Sequence, residues 1–201
     1  MHLYAIGDIH GELGLLDRLL SAIADDAARF ADLRPTLIFL GDYVDRGPAS
    51  RAVIDRLVTG PLPCDDSVTL RGNHEQAMLD FLADPLSAVD WLRFGGIETL
   101  ASYGLRAPPG LTDPERISAL SDEFAKRLPP RHLTFLEQTT LMAEVGGYVF
   151  VHAGIAPDVP LDRQQPQDLL WIRDGFVNRR FSFSHTVVHG HTITETPVLP
   201  G

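Results

Sequence analysis

The sequence predicts an α/β protein in which short, largely parallel strands alternate with helices, with a mainly helical insertion at about residues 76–144. Two observations support this fold class. Apolar runs of β-type composition alternate with helical patterns, and such alternation implies right-handed crossovers between parallel strands. Each of five apolar runs also ends abruptly in a polar cluster rich in Gly, Asp, His or Asn. The 201 residues, 44% of them hydrophobic, fit a single domain over 1–201 that can bury a core.

The individual elements follow from the spacing of the apolar residues. Short apolar runs bounded by turn residues are typical of buried strands. We predict five strands, at Leu3–Ile6, Thr36–Leu40, Ser67–Leu70, Tyr148–Val151 and Thr186–Val188. Helical spacing predicts helices from Leu13 to Phe30, at Ala52–Leu57, at Glu75–Leu82 and within residues 91–100. We expect the insertion either to shape substrate access or to cover the core.

Charge and cysteine usage narrow the class of partner. The formal net charge of −10 argues against a nucleic-acid partner, because such proteins normally present a basic face to phosphates. No apolar run approaches the roughly 18 residues of a membrane span, so we expect no membrane contact. The single cysteine, Cys64, cannot form an internal disulfide, which suits a cytoplasmic protein. No activating motif surrounds Cys64, so we interpret it as a packed or incidental thiol and not as a nucleophile.

The five polar clusters contain the residue types of a metal site. They are Gly-Asp-Ile-His-Gly (7–11), Gly-Asp-Tyr-Val-Asp-Arg-Gly (41–47), Arg-Gly-Asn-His-Glu (71–75), His-Ala-Gly (152–154) and His-Gly-His-Thr (189–192). Ligands of open α/β sheets bind outside the carboxyl ends of the strands, which is where all five clusters fall. Carboxylate, imidazole and amide groups without a thiolate suit Mn²⁺, Fe or Zn²⁺.

The candidate ligands are too many for one ion. They are Asp8, His10, Asp42, Asn73, His152 and His191. Two divalent ions about 3.5–4 Å apart, bridged by a carboxylate, would use all of them, and Asp42 is the natural bridge. We therefore predict a centre of two divalent metal ions, with Mn²⁺ as the expected metal and Fe or Zn²⁺ as alternatives.

Taken in order, the first three clusters resemble the signature motifs of the phosphoprotein phosphatases, and the last two resemble that family's remaining histidine motifs. The resemblance covers residues 7–192. It implies the metallophosphoesterase fold, a sandwich of two β-sheets flanked by helices. Trp91–Gly104 and Trp171–Arg173 look closest to the bacterial and phage serine/threonine phosphatase branch. The resemblance also implies two metal sites that share one ligand: Asp8, His10 and Asp42 for the first, and Asp42, Asn73, His152 and His191 for the second.

The predicted reaction is the hydrolysis of a phosphate monoester, either on a phosphorylated protein or on a small molecule. A hydroxide that bridges two divalent ions is a strong nucleophile near neutral pH and would attack phosphorus in line. His74 directly follows Asn73 and is placed to protonate the leaving group, while Asp45 could orient its ring. The resemblance implies the same roles for His74 and Asp45.

Arginine side chains are the expected partners of the phosphoryl oxygens, because a guanidinium presents a fixed fork of donors. Arg46 and Arg71 lie inside the motifs and are the first candidates. Arg173 matches a phosphate-contacting arginine of the phage-like branch by resemblance. His189 lies two residues before His191, and we expect it to support the site or to pack.

Two other functions stay open. Symmetrical diadenosine tetraphosphate hydrolysis belongs to a sister branch that usually lacks the acid of Asp45 and tends to read Gly-Asn-His-Asp where this chain has Gly-Asn-His-Glu; both differences favour a protein phosphatase. The chain could instead be an inactive scaffold, against which the complete ligand set argues. Members of the family continue past Gly-His-Thr with further strands, so the resemblance implies either a longer natural protein or a sheet without its edge strand.

Overall fold

The computed structural model describes residues 2–30, 33–64, 66–108, 111–177 and 185–193. Its strands are β1 (His2–Ile6), β2 (Pro35–Phe39), β3 (Asp66–Thr69), β4 (Met142–Val145), β5 (Tyr148–Val151) and β6 (Thr186–Val188). Its α-helices are α1 (Leu13–Ala27), α2 (Ser50–Thr59), α3 (Asn73–Ala83), α4 (Gly96–Ser102), α5 (Pro114–Arg127), α6 (Pro130–Gln138), α7 (Pro166–Trp171) and α8 (Asp174–Val177). Short 3₁₀ helices cover Ala28–Phe30, Val89–Phe94 and Leu161–Arg163.

The strands form two three-stranded sheets. The first has the order β1-β2-β3 and is parallel throughout. In the second, of order β4-β5-β6, β5 is antiparallel to β4 and parallel to β6. The predicted sandwich of two sheets flanked by helices is therefore confirmed. The five predicted strands are all present, whereas β4 was not predicted; it lies inside the range assigned to the helical insertion, whose last helix ends at Gln138.

Alternation along β2 explains why the two sheets stack. Leu37 and Phe39 point into a large core with α1, α2 and the helices of the insertion. Ile38 and the following Leu40 point the other way and pack with Phe150 of β5. Because successive strand residues face opposite sides of a sheet, one buried strand joins the helical layer to the second sheet.

Helices cover the outer faces of both sheets. On α1 the residues Leu16, Leu20 and Ile23 are buried, which follows the predicted helical stripe. The second sheet packs its outer face on α7 and α8, where Val151 meets Leu169 and Phe176. No helix within the described ranges is long and apolar enough to cross a membrane.

The insertion begins as a direct continuation of the third polar cluster. Its first helix, α3, starts at Asn73, so three residues of that cluster occupy the first helical turn. Later in the insertion, α5 has a well-formed start: the side chain of Asp113 accepts a hydrogen bond from the amide of Glu115, and Pro114 occupies the first turn. Both features are favourable at a helix N-terminus.

Candidate metal centre and catalytic dyad

The polar clusters converge because all strands except the antiparallel β4 end on the same side of the molecule. The first three clusters follow β1, β2 and β3, and the last two follow β5 and β6. Backbone hydrogen bonds join the loops directly: the amides of Ile9 and His10 both donate to the carbonyl of Asp42, at 2.9 and 2.8 Å. The amide of Gly190 donates to the carbonyl of His152 at 2.9 Å, which links the fourth cluster to the fifth.

An unusual backbone conformation marks these loops. Non-glycine residues with positive φ are uncommon, and they concentrate at functional sites where the surroundings impose the strain. Among the described residues, five of the six such positions lie in the polar clusters: His10 (φ 44°), Asp42 (54°), Asp45 (74°), Arg46 (67°) and His191 (60°). All five are candidate site residues of the sequence analysis.

Asp42 lies at the centre of the candidate metal ligands and is 2% exposed. Its Oδ2 atom is 3.6 Å from Nε2 of His10 and 3.5 Å from Nε2 of His152. Potential ligand atoms of Asp42, His152 and His191 lie within 4.8 Å of one another, as do those of Asp42, His10 and His74. Asp42 thus belongs to two neighbouring clusters, which supports its proposed role as the bridging ligand.

The backbone fixes which nitrogen each histidine turns toward Asp42. Nδ1 of His10 hydrogen-bonds the carbonyl of Val44 at 2.9 Å, and Nδ1 of His152 hydrogen-bonds the carbonyl of Leu40 at 2.8 Å. Since a carbonyl only accepts, each Nδ1 carries the proton and each Nε2 presents a lone pair. Such outer hydrogen bonds orient histidine ligands of metals.

Several buried atoms lack the partner that a cation would supply. Nε2 of His10 and Nε2 of His191 are buried without a hydrogen bond. Nε2 of His152 lies 2.8 Å from Oδ1 of Asn73 and 3.2 Å from Nδ1 of His191, so three potential ligand atoms converge there. The donor set therefore fits divalent metal ions held by nitrogen and oxygen ligands.

Asp8 lies at the edge of this group. Its carboxylate is exposed, and its Oδ1 accepts a hydrogen bond from the amide of His191 at 3.2 Å. A Cβ at Gly190 would come within 2.5 Å of the same oxygen, so a larger residue there would displace the carboxylate of Asp8. The structure thus brings all six predicted ligands to one place, and their assignment to individual ions remains a proposal.

Burial controls the protonation of the ligands. Burial raises the pKa of Asp42, and the nearby charge of Asp8 raises it further. Burial also lowers the pKa of His191 to about 4, with His152 and Arg173 adding to the effect. The imidazoles of such a site are neutral at pH 7, ready to bind a cation, and a bound divalent ion would favour the carboxylate form of Asp42.

A histidine–aspartate dyad lies beside the metal ligands. Nδ1 of His74 donates to Oδ2 of Asp45 at 2.7 Å, and both side chains are buried. Burial alone would lower the pKa of His74, but the hydrogen bond to Asp45 and the charge of Asp42 outweigh it, so this pKa is raised. A histidine that holds its proton near neutral pH is suited to general-acid chemistry.

Two of the three candidate arginines are close to the site. Nη2 of Arg46 lies within hydrogen-bond distance of Nε2 of His74, at 3.2 Å, so the guanidinium lies directly beside the dyad. The exposed Arg173 is near enough to His191 to lower its pKa. Both positions suit a contact with the substrate phosphate, which remains a proposal.

Arg71 has a different environment. Its guanidinium donates to Oγ1 of Thr139 at 3.0 Å, to Oε1 of Gln76 at 3.0 Å and to the carbonyl of Glu137 at 3.0 Å. These bonds tie the loop after β3 to the end of α6. Its predicted role in binding phosphate gains no support from these contacts and stays a prediction.

Three contributors to the site were missed. Glu75 is fully buried, and its carboxylate accepts hydrogen bonds from the amides of Asp42 (2.8 Å), Tyr43 (2.7 Å) and Gly72 (2.9 Å). It thereby holds the loop that carries Asp42. Trp91 and Thr99 hydrogen-bond Asp45. The position of Glu75 in a motif could have signalled its role, whereas nothing in the sequence links Asp45 to residues about fifty positions away.

Comparison with known proteins assigns the chain to one family. The family described as calcineurin-like phosphoesterase matches residues 1–197. The chain belongs to this family. The family uses divalent metals, and candidate ligands for such ions lie together in this chain.

Similar curated proteins include enzymes of different activity classes. The symmetrical bis(5'-nucleosyl)-tetraphosphatase of Acidovorax ebreus is 33% identical over 162 residues, which cover 78% of this chain and 45% of the relative. Serine/threonine-protein phosphatase 1 of Salmonella typhimurium is 35% identical over 95 residues, covering 47% of this chain and 39% of the relative. The chain thus spans less than half the length of either relative.

A solved structure has the same fold. A crystal structure of a proposed diadenosine tetraphosphatase superposes with a TM-score of 0.61 over 94% of this chain and 74% of its own, at 21% sequence identity. At this identity the likeness concerns the fold alone.

Proposed function

We propose that this chain is a metal-dependent phosphoester hydrolase that cleaves symmetrical dinucleoside tetraphosphates. The observation that carries the hydrolase proposal is the convergence of candidate ligands on Asp42, whose Oδ2 lies 3.6 Å from Nε2 of His10 and 3.5 Å from Nε2 of His152. The dinucleotide substrate is supported by the tetraphosphatase relative, whose similarity extends over 78% of the chain. The relatives therefore favour the alternative of the sequence analysis over its first choice, a protein phosphatase.

The residues of this chain would divide the chemistry among them. Asp8, His10, Asp42, Asn73, His152 and His191 would hold the two metal ions. Bound divalent ions polarise phosphoryl oxygens and lower the pKa of a coordinated water. Arg46 and Arg173 would bind the phosphate oxygens, and His74 would give its proton to the departing oxygen. Asp45 would hold the ring of His74 in place and stabilise its charge.

A second candidate function is the dephosphorylation of a serine/threonine phosphoprotein. The observation that favours it is the buried dyad, because His74 and Asp45 are 2.7 Å apart. A serine alkoxide is a poor leaving group that needs a proton, whereas a nucleoside diphosphate leaves as a stable anion with little help. A buried, hydrogen-bonded general acid therefore benefits the hydrolysis of phosphate esters of alcohols more than that of dinucleoside tetraphosphates.

Parallel kinetics would decide between these substrates. The experiment measures kcat/KM of the Mn²⁺-loaded chain on diadenosine tetraphosphate and on a phosphoserine peptide, with His10→Ala as the inactive control. We expect turnover of the dinucleotide to two molecules of ADP, with kcat/KM above that for the peptide. A preference for the peptide would transfer the assignment to the protein phosphatases, and a lack of turnover on both would contradict the hydrolase proposal.

A further inference from the structure

The carboxylate of Asp45 has more partners than the dyad requires. Its Oδ2 accepts from Nδ1 of His74 and from Nε1 of Trp91, both at 2.7 Å. Its Oδ1 accepts from the hydroxyl of Thr99 at 2.6 Å. The side chain of Asp45 is fully buried, so these three donors replace the water that a carboxylate would otherwise bind.

Both additional donors come from the helical insertion. Trp91 belongs to the 3₁₀ helix Val89–Phe94, and Thr99 belongs to α4. Between them, the carbonyl of Gly95 accepts a hydrogen bond from the amide of Arg46 at 3.3 Å. Thr99 also accepts from the amide of Asp45 at 2.9 Å. The insertion therefore holds the loop that carries Asp45 and Arg46 in two ways, through the side chain of Asp45 and through the backbone amides of both residues.

These contacts determine how Asp45 is oriented. A carboxylate that met only His74 could rotate about its two side-chain torsions, and the imidazole ring would follow it. Hydrogen bonds to a charged acceptor contribute more than neutral ones, and here they reach both oxygens from different directions. The ring of His74 is thereby fixed so that its Nε2 faces Arg46 and the metal ligands.

We propose that Trp91 and Thr99 are positioning residues for the general acid, so that the insertion is part of the catalytic machinery. They act through Asp45, which holds His74 while its Nε2 proton moves to the leaving oxygen and the bond from that oxygen to phosphorus breaks. The inference rests on the proposed function in one respect, which is that His74 supplies this proton.

Thr99 offers the cleanest test because valine keeps its shape and removes its hydroxyl. With the Mn²⁺-loaded chain, kcat and KM would be measured on a series of substituted phenyl phosphates whose leaving groups differ in pKa. For Thr99→Val we expect about a 10-fold loss of kcat on phenyl phosphate, part of the roughly 10²–10⁴-fold that a general acid contributes. We expect little loss on p-nitrophenyl phosphate, an unchanged KM, and recovery with Thr99→Ser.

Trp91 requires a control for packing, since its ring stacks on that of Phe124 at 6.0 Å. Trp91→Phe removes the indole donor together with some core volume, and Phe124→Leu removes volume beside it while leaving Asp45 untouched. We expect only Trp91→Phe to make kcat depend more steeply on the leaving group. The chain has two tryptophans, so the indole N–H signal of Trp91 should move in Asp45→Asn while that of Trp171 stays.

The outcomes separate this inference from the proposed function. If His74→Asn leaves the leaving-group dependence unchanged, the general-acid role fails and the inference fails with it. If His74→Asn steepens the dependence but Thr99→Val and Trp91→Phe lower all rates equally, the inference alone is overturned. An indole signal of Trp91 that does not move in Asp45→Asn would also overturn it.

Discussion

The molecule contains two histidine–aspartate pairs of similar geometry in different regions. In the candidate site, Nδ1 of His74 is 2.7 Å from Oδ2 of Asp45. In the helical layer, Nε2 of His132 on α6 is 2.9 Å from Oδ1 of Asp55 on α2. Both histidines are buried. The distance between the partners therefore does not distinguish the proposed catalytic pair from a structural one.

The second ring nitrogen separates the two pairs. Nε2 of His74 faces Nη2 of Arg46 at 3.2 Å and Oδ2 of Asp42 at 4.0 Å. The second nitrogen of His132, Nδ1, is taken by the hydroxyl of Tyr103 at 2.8 Å. The partner of Nε2 of His74 is thus the exposed Arg46, whereas the partner of Nδ1 of His132 is the buried Tyr103.

The surroundings also shift the pKa values of the two histidines in opposite directions. The pKa of His74 is raised because the bond to Asp45 and the charge of Asp42 exceed the effect of burial. The pKa of His132 is lowered because burial exceeds the effect of Asp55. The neighbours account for the difference, since Asp42 adds negative charge beside His74 whereas Arg131 and Arg51 add positive charge beside His132.

The largest expected effect comes from replacing Asp42, whose carboxylate lies beside the His74–Asp45 pair and has no counterpart among the described residues beside the His132–Asp55 pair. Asp42→Asn should reduce kcat by roughly 10³-fold or more, because metal ions contribute several kcal/mol of transition-state stabilisation. Elemental analysis after Mn²⁺ loading and desalting should find less metal bound per chain. The matched control, Asp55→Asn, should keep both metal and turnover. Full metal content and near-normal turnover in Asp42→Asn would remove the bridging assignment.

Substitutions of His74 and His132 should differ almost as strongly in their effect on kcat. His74→Asn should lower kcat on phenyl phosphate by about 10²–10⁴-fold, and much less on p-nitrophenyl phosphate, because only the poorer leaving group needs the proton. His132→Asn should retain kcat on both substrates and lower the midpoint of urea unfolding. Equal losses on both substrates for His74→Asn would count against its role as an acid.

A smaller effect should follow from removing the hydroxyl of Tyr103, which hydrogen-bonds His132. Tyr103→Phe leaves Nδ1 of the buried His132 without its partner and should cost about 1–3 kcal/mol of unfolding free energy. Urea unfolding measures this, and kcat should not change. Tyr148→Phe serves as the control because Tyr148 is 42% exposed and should stay within about 0.5 kcal/mol of wild type. Matching stabilities for the two variants would mean that the contact to His132 contributes nothing.

The smallest expected effect is a pH dependence of stability. The pKa of His132 lies below its usual 6.5 in the folded chain, so the unfolded chain takes up a proton that the folded chain does not. Stability should therefore fall as pH drops from 6.5 through the folded pKa, and His132→Asn should lack this component. The pKa of Asp55 is also lowered, so the stability that Asp55 contributes is lost only at more acidic pH. Parallel stability profiles of the two chains at about pH 7 to 5 would contradict this reading.

Much of the fold could be predicted because local patterns dictate it. The runs that became β5 and β6 were assigned with their observed bounds, and α1 follows the stripe that contains Leu16 and Leu20. β4 (Met142–Val145) was missed because it is short, half-buried and follows directly on helical segments. Pairing with β5 stabilises it, and a local pattern carries no information about that pairing.

The site was predicted to a similar extent and for a similar reason. Motifs at strand ends indicate ligands such as Asp42 and His152, since the topology brings these ends together. The partners of Asp45 and Arg71 depend instead on how the insertion folds back, over separations of 46 residues to Trp91 and 68 to Thr139. Contacts of this range leave no periodic signal in a single sequence.

The left-handed backbone at His10, Asp42, Asp45, Arg46 and His191 has a consequence for laboratory selection. Each such conformation costs on the order of 1–3 kcal/mol in a non-glycine residue, and glycine or asparagine would relieve part of it. A screen for heat resistance that ignores turnover would therefore enrich substitutions at these five positions. Its most robust survivors would be the variants that had lost their chemistry, so a library built on this scaffold should keep these codons constant.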